Sequence, residues 1–445
     1  MSEPVPRLRA VEAFPVEHEG RSCVALRDPA GYTDAIVLLH GPLLVIVSLF
    51  DGGHTVADIQ AAVMRRHGQL VERRQIEEIA EALDQQGFLD SPGFAGRRAV
   101  IDGAFLASPT RPATHAGGAY AGEPGELRAM LDGFFAPPDG PGPIDGARAA
   151  EPEGRGQSAA PERRGRSAAP ERRGRSAAPE RRGRSAAPEV RGVIAPHIDF
   201  HRGGSAYAWA YRELAERSAA DLFVILGTCH AGMEHPFALT RKDYASPLGD
   251  VPVDRDFVDA LAKRARQDCF GSELAHRVEH SIELQAVFLR HLYADRRDVS
   301  IVPVLASFAH EAMHRGQRPD DDPRVPRFLE ALAETMAAGR RRVALIAGAD
   351  LAHVGPRFGD PEPVGAPELA RIEREDVAML ESVAAGDPQA FFESVASDGD
   401  RRRICGYSPI YALLRSLGGA IGSVKRYGQW PDPNGVVSFA SVVFE

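Results

Sequence analysis

Three aliphatic runs in this sequence close on residues able to bind a metal or move a proton. VIAPHIDFH reaches His197, LFVILGTCHAG reaches His230, and VALIAGADLAHVG reaches Asp350 with His353 three residues later. A strand that ends on Pro-His or Gly-Thr-Cys-His holds its imidazole rigidly at a sheet's edge, as a metal site requires. One such histidine is usually a satisfied structural residue. Three together point to a shared crevice, because a doubly wound sheet gathers the carboxyl ends of its strands in one place. Asp199 and His201 follow His197 at two-residue steps and are alternative ligands if the chain stays extended. His280 opens an amphipathic helix in EHSIELQ, with Glu283 one turn along. Both could face the site, or Glu279 and Glu283 could be ordinary first-turn acids. Cys405, taken alone, reads as a buried small hydrophobe.

The elements that must position these residues alternate. Strands are expected over 190–195, 222–226, 299–305, 343–347 and 436–444, and helices over 205–216, 281–293, 327–337, 368–383 and 408–417. Short apolar runs separated by amphipathic helices imply an α/β fold of three layers, its sheet largely parallel and covered on both faces. This domain is expected over 105–445.

An N-terminal unit over 6–92 reads differently. Two short strands, 22–27 and 35–39, precede three helices. The first begins near Leu43 and stops at Asp51-Gly52-Gly53, Thr55 can cap the second with Asp58 in its first turn, and the third carries Ile76, Ile79, Ala80 and Leu83 at helical spacing. Phe88-Leu89 could start a wing strand. The order resembles a winged helix, and more closely the PqqD-like peptide-chaperone domains, to whose helix–turn–helix entry LFDGGHTVADI is similar. That resemblance implies peptide binding by β-augmentation; a structural appendage is the other reading. DNA reading is disfavoured, because Glu72, Glu77, Glu78, Glu81 and Asp84 outnumber Arg73 and Arg74 on the third helix.

The bulk composition narrows the classes. A length of 445 residues suggests two or three units, and a net charge of -9 gives no global attraction for nucleic acid or anionic membrane. Four cysteines without paired spacing suit a reducing, cytoplasmic setting. The N-terminus has no apolar signal-peptide core, and the longest apolar run, 35–50, is broken by His40, Gly41 and Pro42, so no membrane span is expected. Abundant Ala, Arg and Gly suggest a GC-rich bacterial source. Four near-copies of GRSAAPERR lie between Gly154 and Glu189, with ten Arg against four Glu, which leaves -15 for the rest of the chain. Together with the Pro- and Gly-rich stretch from Pro137, they read as a disordered basic insertion over 137–189, a spacer or else a docking segment for an acidic partner or RNA.

The segments THAGGAYAGEPGELRAMLDGF, APHIDF, ILGTCH, EHSIELQ, IAGADLAHVG and CGYSPI occur in that order from about Pro112 onward. In this they resemble the MEMO family, whose bacterial members are called AmmeMemoRadiSam system protein B and whose fold is related to the class III extradiol dioxygenases of LigB type. The resemblance implies metal ligands at His197, His230 and Cys405. Two imidazoles and a thiolate suit copper, iron or zinc with an open position rather than magnesium or calcium. It further implies that His353 carries protons, with Asp350 holding its tautomer or contacting a ligand, or else merely capping a helix, and that His115 approaches the pocket from outside the ligand shell. Ala231 stands where many members have a second His, Phe200 where Tyr is usual, and Tyr407 where Arg is common, so the substrate rim does not transfer from relatives.

Three functions follow as alternatives. The family's bacterial name implies an accessory partner of a radical SAM modifying enzyme and of an AMMECR-type protein, with a peptide held by the N-terminal unit. A copper- or iron-dependent redox enzyme resembling a dioxygenase is the second, and zinc hydrolysis the third. No phosphate-binding glycine loop is found, so no nucleotide cofactor is implied.

Overall fold

The computed structural model describes residues 3–144, 188–294 and 296–445. At the front, β1 (Glu12–His18), β2 (Arg21–Arg27) and β3 (Ile36–Leu39) form an antiparallel sheet in that order. Helices α1 (Pro42–Ser48), α2 (Val56–His67) and α3 (Arg73–Gln85) pack on a separate core built around Ile46, Ile59, Val63, Ile76 and Phe88. Thr55 caps α2 as expected: its hydroxyl accepts from Asp58 N at 3.3 Å while the Asp58 carboxylate accepts from Thr55 N at 2.9 Å. Strand β1 was not anticipated: none of its seven residues is buried, and only Phe14 and Val16 are half-buried, too short an alternation to mark a strand. In place of a wing strand, Leu89 makes an isolated bridge with Leu8, and Ser91 caps a fourth helix, α4 (Pro92–Ala107).

The second part opens with β4 (Thr110–Arg111) and α5 (Pro124–Gly133) and continues through β5 (Gly192–Ala195), α6 (Phe200–Arg217), β6 (Leu222–Thr228), β7 (Phe237–Leu239), β8 (Asp243–Tyr244), α7 (Arg255–Ala265) and α8 (His280–Tyr293). It then runs through β9 (Ser300–Ala306), α9 (Ala309–His314), α10 (Arg324–Ala338), β10 (Val343–Gly348), β11 (His353–Val354), α11 (Ala366–Ala384), α12 (Pro388–Ala396) and α13 (Tyr407–Leu417), and ends in the hairpin β12 (Gly422–Asp432) and β13 (Gly435–Phe444). Its main sheet has the order β11-β13-β5-β10-β6-β9-β7, with β12 on β13. The four inner strands are parallel. Both margins are antiparallel, so the sheet is mixed rather than largely parallel. Beyond one of them a two-residue link joins β12 to β13, and so short a connection permits only antiparallel pairing. Helices α6 and α8 pack together on the sheet, as does α13 backed by α10 and α12. Every residue of β6 and β9 is buried, which is why these strands read as unbroken apolar runs.

Of the segment expected to be a disordered insertion, residues 137–144 and 188–189 are packed on α6. Trp209 Nε1 donates to the Asp139 carbonyl at 2.9 Å, Arg212 to that of Pro141, and Arg217 to that of Pro188 at 2.7 Å, while Ile144 is buried. The remainder, with nearly all of the repeat, lies outside the described residues. No helix among the described residues is long and apolar enough to cross a membrane.

Candidate metal centre

Three adjacent strands deliver the site. Gly348 at the end of β10 pairs with Ala195 of β5 on one side and Gly227 of β6 on the other. Because the three ends are level, Asp350, His197 and His230 all emerge two or three residues beyond them into one crevice. His197 is buried and His230 is open to solvent on one edge.

Cys405 arrives from the loop between α12 and α13, which is held tightly. Asp400 and Arg403 occupy the left-handed region with φ of 52° and 53°, a conformation costing about 1–3 kcal/mol unless the surroundings enforce it. They do enforce it. Asp400 accepts from Ile404 N at 2.8 Å and from His310 Nε2 at 2.9 Å, while Arg403 forks onto Asp360 at 2.8 and 2.9 Å. Cys405 Sγ thereby sits 3.2 Å from His197 Nε2 and 3.7 Å from the Asp350 carbonyl.

Each strand-end imidazole is oriented through Nδ1. His197 donates to the Gly348 carbonyl at 2.9 Å, and His230 to both Glu279 oxygens at 3.0 and 3.1 Å. Both Nε2 atoms are thus left as lone-pair donors, the arrangement typical of metal-binding histidines. Glu279 itself caps α8 through Ser281 N at 2.9 Å. The next residue, His280, brings a third imidazole into the cluster. One ring nitrogen from each of His197, His230 and His280 can be chosen so that all three lie within 4.8 Å of one another, and the rings of His230 and His280 stack with centroids 4.6 Å apart. His280 was expected near the pocket but not among the donors.

Burial governs the charges. It lowers the His197 pKa to about 3, with His230 adding repulsion, and lowers that of His280 well below the usual range. At His230 burial also acts downward, but the charge and hydrogen bonds of Glu279 outweigh it, so its pKa is raised. Burial holds the Cys405 thiol well above its ordinary range, an effect reinforced by Asp350. It also raises Asp350 to about 6 and lowers His353 to about 4. The crevice therefore presents neutral imidazoles at His197 and His280 and a neutral thiol, with His230 held toward its charged form by Glu279, beside a carboxyl that titrates near neutrality. A transition metal fits such donors and would displace the protons of the thiol and of His230 in binding.

The other expected site residues are distributed as follows. His353 donates through Nδ1 to the Leu351 carbonyl at 3.1 Å, not to Asp350. In an extended chain, residues three apart face opposite ways, so Asp350 instead turns back to accept from His197 N at 2.9 Å. Glu283 does not face the crevice. It is wholly buried, where it pairs with Arg111 and accepts from Tyr120 OH, Thr114 Oγ1 and His115 N. His115 donates to the Val278 carbonyl at 2.9 Å, and its ring lies 5.4 Å from that of His280. Asp199 and His201 are not alternative ligands sharing the side of His197: α6 begins at Phe200, extension ends there, and His201 is exposed. Phe200 and Tyr407 are core residues rather than rim residues, Phe200 against Phe288 and Tyr207, Tyr407 against Phe392.

Known proteins are similar to this chain over much of its length. The family model described as Memo-like protein matches residues 175–443. A MEMO1 family protein of Aquifex aeolicus is 25% identical over 424 residues, covering 94% of this chain and 95% of that one. One from Thermus thermophilus is 25% identical over 375 residues, 84% and 94% of the two chains, and one from Methanosarcina acetivorans is 29% identical over 263 residues, 57% and 85%. With more than half of its length matched by the family model, this chain belongs to the Memo-like family.

Proposed function

We propose that the crevice is a transition-metal centre in which His197, His230 and Cys405 hold the ion and His280 is a fourth donor at its margin. The observation that carries this reading is the convergence of three imidazoles at the ends of β5 and β6 and the start of α8, each strand-end imidazole oriented by its far nitrogen, with the Cys405 thiol of the 397–406 loop 3.2 Å from His197 Nε2. The set is borderline-soft and suits copper, iron or zinc. When bound, the metal would supply Lewis acidity and, if copper or iron, electron transfer at a position that its ligands leave open. Its test is metal content after reconstitution with each ion: about one per chain for the native protein, as a single site requires, and a large loss for Cys405→Ser or His197→Asn. Native protein that retains none of the three would overturn the proposal.

A redox reading of the site is supported by His353. Neutral, half-exposed and fixed through Nδ1, it keeps Nε2 free to accept a proton from an organic molecule in the crevice. Metal-dependent oxygen consumption with phenolic or thiol compounds, abolished by His353→Gln, is the expected result; inertness toward a broad panel with every metal would sink it. The cellular role we propose is accessory to a radical SAM modifying enzyme, on the strength of the motif resemblance. Co-purification with such an enzyme tests it, and absence of any association counts against it.

A further inference from the structure

The front unit touches the second part of the molecule at the short run that carries two of the site's groups. Arg277 and Val278 immediately precede Glu279, which orients His230, and His280, which joins the cluster. From the front unit, the loop Asp28–Tyr32 reaches this run. Asp28 shapes the loop by accepting from Ala30 N at 3.0 Å and Tyr32 N at 2.8 Å, while Arg9 holds Asp28 at 2.8 Å. The Arg277 guanidinium then lies over the Tyr32 ring, 4.3 Å from its centroid, and donates to the carbonyls of Ala30 and of Gly31, the latter at 3.1 Å. Asp102 of α4 completes the cradle, 3.7 Å from Arg277 Nε and 3.1 Å from Tyr32 OH. Gly31 is indispensable to the fit: its φ is 64°, and a Cβ there would stand 2.7 Å from Val278 Cγ1.

The rest of the run is held from the other side. Arg111 donates to the His276 carbonyl at 3.0 Å and to the Glu279 carbonyl at 2.8 Å, and His115 donates to the Val278 carbonyl. The backbone from 276 to 280 is thus suspended between Arg111 and His115 on one side and the front unit on the other. A displacement at Arg277 or Val278 is passed to Glu279 and His280 through at most three peptide units.

We infer that Arg277 is a positioning residue, through which the front unit fixes where Glu279 and His280 stand in the metal centre. The inference rests on the metal-centre reading above, and cobalt(II) titration followed by visible absorption separates the two. Native full-length protein should bind cobalt. Arg277→Ala and Gly31→Ala should weaken that binding about 10- to 100-fold, the usual effect of removing support behind metal ligands, and shift the ligand-field bands while circular dichroism stays native. Arg74→Ala is the control. Arg74 lies exposed on α3 and pairs with Glu78 one turn along at 2.8 Å, and the variant should bind cobalt within about 2-fold of native protein, a difference well under 1 kcal/mol. Unchanged affinity and spectrum in both folded variants at positions 277 and 31 overturns the inference, as does equal weakening by Arg74→Ala. Failure of the native protein to bind cobalt would instead overturn the metal-centre reading on which it stands.

Discussion

The sulfur of Cys405 lies 3.2 Å from Nε2 of His197, although 208 residues separate the two along the chain. Since burial keeps the thiol protonated, any ion that binds there must displace a proton, so affinity should rise with pH. Calorimetry of zinc binding in buffers of different ionisation enthalpy should show about one proton fewer released by Cys405→Ser than by the native protein. Equal proton release would mean that the sulfur does not ligate.

A buried network well behind the crevice supports both the Cys405 loop and the His353 turn. Asp376 pairs with Arg402 and accepts from Ser438 Oγ at 2.5 Å and Tyr427 OH at 3.0 Å. Ser438 Oγ in turn accepts from Ala352 N at 2.9 Å, and the Arg402 carbonyl accepts from His353 N at 2.6 Å. Urea denaturation should find Asp376→Ala about 3–5 kcal/mol less stable, because it leaves the buried Arg402 guanidinium with only Glu375, 3.7 Å from its Nε, as a carboxylate partner, and Ser438→Ala about 1–3 kcal/mol less stable. The double variant should fall short of the sum by more than about 0.5 kcal/mol. Strict additivity would contradict a shared network.

Gly348 is the close-contact point between β10 and α8. A Cβ there would lie 2.5 Å from the Ser281 carbonyl and 3.0 Å from Gln285 Nε2. Gly348→Ala should therefore push the first turn of α8 outward, costing about 1–3 kcal/mol as overpacking does and carrying His280 with it. Thermal unfolding measures the cost. An unchanged midpoint would show that the helix yields freely.

His276 gives the fold an acid limit. It is fully buried, accepts from Tyr244 OH at 2.9 Å and donates to the Ala238 carbonyl at 3.0 Å, and burial lowers its pKa from 6.5 to about 4. A depressed folded pKa means that the unfolded chain takes up the proton first. Stability from this group is complete above about pH 6.5 and is lost as pH falls toward 4, by about 3 kcal/mol in all. His276→Gln should flatten the stability profile between those limits, even if it lowers it throughout; a profile of unchanged slope would refute the assignment.

How far the sequence revealed this molecule depended on the range of the interaction. The inner strands and the polar ends at His197, His230 and Asp350 were readable because an unbroken apolar run is a local signal. Strand β12 was missed, as half its residues are polar, and so was the antiparallel margin it creates. Glu283 was misplaced because Arg111, its partner, is 172 residues away, and no spacing rule reports such a pair. His280 was taken as a neighbour of the site rather than a donor, since a helix's first residue faces wherever the preceding run aims it.

One helix grips both ends of the stretch from 144 to 188: Arg212 holds Pro141 and Arg217 holds Pro188. Five residues of helix span only about 7.5 Å, so the polypeptide departs and returns through nearly the same doorway. Because both ends are fastened to α6 itself, a change in the number of GRSAAPERR copies leaves those two fastenings, and the sheet behind the helix, where they stand.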